Sequence, residues 1–139
     1  MFTPVSMRSA NTYRSVGLET AVTGASPHQL VGLLFDGLQQ SLASAKGAIL
    51  SGDIAAKGRA INRAVRILEE GLKAGLDTNK GGELAVNLRG VYDYCIFKTT
   101  EANFRNDPAL IDEVSRLIQP IADGWSQIKG EAIVQSYQS

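Results

Sequence analysis

The chain is poor in the residues from which enzymes and metal centres are built. Its 139 residues include one cysteine and one histidine. A lone Cys95 excludes an internal disulfide and any zinc site made of cysteines. It falls on an apolar stripe and has no histidine partner, so it reads as a small buried hydrophobe rather than a nucleophile. His28 stands in a helix's first turn with no Glu three positions before it, which excludes the Glu-x-x-His pairs of carboxylate-bridged di-iron bundles. It reads as a solvated helix-start residue. A surplus of one charge is also lacking. Acids and bases balance at 14 each, so no global field draws the chain to nucleic acid or an anionic membrane. No apolar run approaches the roughly 18 residues of a membrane span, and no charged-then-apolar leader opens the chain. Gly81-Gly82 is not followed by the Gly-Lys-Ser/Thr of a phosphate loop. Together these absences predict a non-enzymatic cytosolic protein with no cofactor, no metal, no nucleic-acid partner and no membrane insertion.

What is present is helical. The length suits one domain with a real core. Residues 1–25 carry Ser, Thr, Gly and Asn without helical periodicity and read as a flexible N-terminal arm. Ser26-Pro27-His28-Gln29 is a helix start: a capping box around a first-turn proline. Leu30, Leu34, Leu38, Leu42, Ala45 and Ile49 then recur every three or four residues. Gly52 ends that helix and Asp53 caps a second, with Ile54, Ile61, Val65, Leu68, Leu72 and Leu76 as its stripe. Lys57, Arg59, Arg63 and Arg66 lie opposite. No exposed aromatics interleave with them, so they read as a solvated face rather than a phosphate track. Lys80-Gly81-Gly82 breaks the second helix. Leu84, Leu88, Val91, Cys95 and Ala102 mark a third. Asn106-Asp107-Pro108 caps a fourth along Leu110, Val114, Leu117, Ile121, Trp125 and Ile128, with Pro120 expected to kink it. Short breaks force neighbouring helices to run antiparallel. The fold expected is all-α: an up-down-up-down four-helix bundle over residues 26–129, with an arm at 1–25 and a flexible tail at 130–139.

The apolar stripes are wider than a bundle seam needs. Val31, Leu33, Phe35, Ile67, Tyr92, Ile96, Ile111 and Ile118 are the surplus. They supply either a fatter core or a groove kept apolar for an amphipathic partner segment.

Three runs resemble a known family. Ala25 to Gly37 (ASPHQLVGLLFDG) is similar to the first-helix signature of FliS, the flagellin export chaperones. Gly71 to Asp77 (GLKAGLD), Lys80 to Ala85 (KGGELA), Asn87-Leu88 and Tyr92-Asp93-Tyr94 resemble the family's middle motif. Ala102-Asn103 before Asn106-Asp107, the closing Trp125, and Tyr13 ahead of Val16 complete the match in order and spacing. The chain carries Ala10 where the family often has a larger apolar residue three positions before the arm tyrosine.

The resemblance implies a cytosolic chaperone. It would bind the C-terminal segment of flagellin, prevent premature polymerisation, and deliver the client to the cytosolic domain of the flagellar type III export gate. Leu84, Leu88 and Tyr92 are then the groove candidates, and Tyr13 the arm residue that a core cannot account for. A bare groove also allows weak self-association of the client-free chain. A related secretion chaperone, or a helix-binding module with another flagellar client, remains the alternative.

Overall fold

The computed structural model describes residues 24–128. All but the last two residues of the expected arm, and the whole expected tail, lie outside them. Four helices and no strand are found among the described residues. The first, α1, spans Pro27–Ser51. Ser26 Oγ accepts the Gln29 N–H at 3.1 Å, and Gln29 Oε1 accepts the Ser26 N–H at 2.8 Å, so the capping box forms as its residues predict. Gly52 ends α1 at φ 74, a conformation that disfavours any side chain with a Cβ.

Asp53 Oδ1 accepts the Ala56 N–H at 3.0 Å to start α2, Ile54–Arg66. This helix runs directly into a π-helical segment, Ile67–Lys73. There the Ala74 N–H bonds the Glu69 carbonyl, five residues back, at 3.1 Å. Helix α3 covers Gly82–Arg105 and closes on Asn106 at φ 53. Asp107 Oδ1 accepts the Ala109 N–H at 2.9 Å to open α4, Pro108–Gln127. Pro120, where a kink is expected, lies within this one helix on its exposed side. Facing solvent, its ring removes a backbone donor without ending the element.

Cross-helix pairs fix the packing. Arg63 Nη1 donates to Gly37 O and Ser41 Oγ at 3.3 and 2.9 Å, while Gly71, further along, faces Leu34. His28 meets Trp125, Gln39 Nε2 bonds Gln119 Oε1 at 3.2 Å, and Lys46 pairs with Asp112 at 2.9 Å. Lys57 reaches Asn103 and Asn106, and Lys73 reaches Asp93. Each series ascends one helix while descending its neighbour, the antiparallel sense that short connections demand.

One continuous core fills the bundle, with Leu34, Leu38, Leu42, Ile67, Leu68, Ile111 and Ile118 fully enclosed. Much of the expected surplus is therefore core. Conversely Ile54 is exposed, and Leu117 is 39% exposed while its neighbour Ile118 is sealed. The apolar arc of α4 is centred one residue away from the stripe read by period, because the helix packs against both α1 and α3. The basic face of α2 is likewise not all solvated. Lys57 is buried and Arg63 is half-buried against α1.

Candidate functional site

At the end of the bundle where α1 begins and α4 finishes, the four helices do not close. They leave a partly open apolar cleft. Val31 and Phe35 line it from α1, Leu88 and Tyr92 from α3, and Ile121 and Trp125 from α4. The remaining side comes from the π-helical segment and the turn after it: Gly71, Leu72, Gly75 and Leu76. Gly71 lets this side pack closely on α1. A Cβ on Gly71 would stand 2.9 Å from Leu34 Cδ2, so even one methyl group would push Leu34 in the core beneath.

Trp125 is held in place from α1. The His28 and Trp125 rings stack at 5.0 Å with planes 16° apart. His28 Nε2 lies 2.7 Å from the Trp125 carbonyl, and a carbonyl only accepts, so the imidazole proton sits on Nε2. In return, Trp125 Nε1 donates to the His28 carbonyl at 2.9 Å. His28 is thus a half-buried cross-helix partner, not the solvated residue its helix-start position suggests.

A second apolar feature lies on the outer face of α3. Val86, Phe97 and Phe104 are 55, 64 and 83% exposed. They stand eleven and seven residues apart, close to three and two helical turns, so they share one line facing away from the core. Beside it Lys98 lies over the Tyr94 and Phe97 rings at 5.5 and 5.9 Å, and the Tyr94 hydroxyl donates to the Glu113 carboxylate. That bond holds the phenol above its ordinary pKa.

Of the candidate residues, Leu88 and Tyr92 meet in the cleft. Tyr92 is only 3% exposed and forms an inner wall, whereas Leu84 is 67% exposed in the first turn of α3. Tyr13 lies outside the described residues. The outer line of α3 lies off both the stripe through Leu84, Leu88, Val91, Cys95 and Ala102 and the surplus at Tyr92 and Ile96, so the period of the core face does not reveal it. The recurrence of Phe97 and Phe104 at two turns was the available signal.

Among the described residues no three of His, Cys, Asp and Glu converge. Cys95 is fully enclosed. Burial, and then the Glu113 charge, push its thiol up from 9.0 to about 11, so it is protonated near neutral pH. Lys73, which follows the cleft residue Leu72 in the chain, pairs with Asp93 and Glu69 at 2.7 and 3.3 Å. Asp93 above all holds the Lys73 ammonium above its ordinary pKa. No helix among the described residues is long and apolar enough to cross a membrane.

Residues 9–132 match the family model described as flagellar protein FliS. The flagellar secretion chaperone FliS of Salmonella typhimurium is 48% identical over 123 residues, covering 88% of this chain and 91% of that protein. The flagellar secretion chaperone FliSB of Pseudomonas aeruginosa is 42% identical over 122 residues, covering 88% and 96%. The FliS chaperone of Escherichia coli is 36% identical over 120 residues, covering 86% and 88%.

Proposed function

This chain belongs to the FliS family of flagellar secretion chaperones, and on that premise we propose that it holds the C-terminal segment of flagellin in the cytosol. It keeps that segment from polymerising and presents it to the cytosolic domain of the flagellar export gate. It does so without catalysis, by covering apolar surface.

The observation that carries this reading is the outer line of α3. Val86, Phe97 and Phe104 extend over about 27 Å at 1.5 Å per residue, on the face opposite the core. Core packing cannot account for their exposure, and a row of large apolar side chains on an outward face marks a surface meant to be covered. An amphipathic segment laid along such a row is a common recognition mode. Each leucine- or phenylalanine-sized side chain buried contributes about 1.5–3 kcal/mol, while ordering the segment costs about 2–5 kcal/mol. Several contacts then give a grip that holds and still releases. Leu84 and the cleft at Leu88 and Tyr92 stand on the other side of α3, near its N-terminal end, and offer a second apolar surface for the same segment.

Calorimetric titration with a peptide of the flagellin C-terminus tests this. Binding with a negative heat-capacity change is expected, since apolar surface is buried as the peptide orders. Leu84→Asp and Phe104→Asp, both at exposed positions, should each weaken it by at least about tenfold with helicity retained. Wild-type affinity in both variants removes α3 from the interface. A peptide from a filament-cap or hook protein binding in place of the flagellin peptide reassigns the client.

A further inference from the structure

The placing of Trp125 calls for more than packing. It lies in the last turn of α4, where the Ile128 N–H reaches the Trp125 carbonyl at 3.2 Å. A helix's last turn is its most easily frayed part. Yet this turn supplies the indole that walls the cleft. What ties it down comes from 97 residues earlier in the chain.

We propose that His28 is a positioning residue for client binding: it fixes the Trp125 indole as a rigid wall of the apolar cleft. The inference rests on the reading of that cleft as part of the client surface. Each residue of the pair bonds the other's backbone through its ring, so both the tilt and the depth of the indole are set. The imidazole donor holds the final turn of α4 through its carbonyl, and the stacked imidazole covers one face of the indole. Val31 and Phe35 follow His28 at three and seven residues, on the same face of α1, and enter the cleft. One face of one helix thus supplies part of the wall and the clamp on the wall opposite. The ligand such a preset cleft takes is a bulky apolar side chain of the client segment, which then does not have to order the indole itself.

The chain has a single tryptophan, so its fluorescence reports this site alone. His28→Ala strips both the donor and the stack. His28→Gln keeps an N–H donor, and His28→Phe keeps an aromatic face. In the alanine variant the indole emission should move to longer wavelength and acrylamide quenching should rise, with helicity unchanged. Affinity for the flagellin C-terminal peptide should fall about three- to tenfold, the range set by loss of one aromatic stack. The glutamine and phenylalanine variants should each recover part of the affinity, and only phenylalanine the shielding. Unchanged emission and quenching in the alanine variant would show that His28 does not hold the indole. Altered emission with unchanged affinity would reduce it to a cover over the ring. If the alanine variant loses helicity, the phenylalanine variant decides: full wild-type affinity there overturns the role of the donor. Should the wild-type protein not bind the peptide at all, the client reading fails. The clamp is then judged by the same emission series and by binding of anilinonaphthalene sulfonate, an apolar dye. Equal dye affinity in wild type and His28→Ala would overturn it.

Discussion

Thr99 stands about three quarters of the way along α3, fully enclosed, and its Oγ1 has no hydrogen-bond partner among the described residues. A buried hydroxyl left unpaired costs about 1–3 kcal/mol, and valine occupies nearly the same space without it. Thr99→Val is therefore expected to raise stability by about 1 kcal/mol, seen as a higher urea midpoint at unchanged slope. A lower midpoint would mean that the hydroxyl is bonded in solution. Legibility at this scale follows separation along the chain. Ser26 with Gln29, and Asp53 with Ala56, are partners three residues apart, and both caps were readable from adjacent letters. His28, Lys57 and Arg63 find partners 97, 46 and 22 residues away. Their local context suggested solvent, and only the folded bundle gives them a task.

Among the elements, α3 depends on a group it does not contain. At its C-terminal end, where backbone carbonyls lack helical donors, the Lys57 ammonium of α2 bonds Asn103 O at 3.1 Å and Asn106 Oδ1 at 2.6 Å. A cation placed there also meets the negative end of the helix dipole. Lys57→Met keeps the apolar stem and removes the charge. It should lower stability by about 2 kcal/mol, since hydrogen bonds from charged donors contribute about 1.5–3, measured by urea unfolding. Stability equal to wild type would show that the ammonium leaves this position in solution. The four helices themselves were legible because glycine, proline and capping residues mark each break. The π-helical stretch was not. Ile67 to Lys73 has the apolar spacing of an ordinary α-helix, and nothing local signals that its bonding reaches one residue further. The core side of α3 was half legible: Cys95 and Ala102 are buried as expected, whereas Leu84 in the first turn is left uncovered.

Across the whole molecule, the cleft, the His28–Trp125 clamp and the point where the arm joins α1 lie at one end of the bundle. The family resemblance, spread over the entire length, made the architecture readable before any geometry. It left unstated which apolar residues face inward. Tyr13 lies about eleven residues ahead of Gly24, within reach of that end at roughly 3.3 Å per residue. As an extension of the proposed function, we propose that Tyr13 contacts the export gate once a client is loaded. Tyr13→Ala should leave flagellin-peptide affinity unchanged. It should also weaken binding of the loaded complex to the gate's cytosolic domain, both read by calorimetry; equal gate affinity would leave the arm without this task. The π-helical segment bears on the same end of the molecule in another way. A π turn takes up one residue more than an α turn while returning the chain to the same phase. The second helix therefore carries a spare residue just before Gly75 and Leu76 reach the cleft. A chain one residue shorter between Ile67 and Lys73 could run there as plain α-helix and still deliver both to the same wall, which makes this short stretch the bundle's natural place to absorb a change in length.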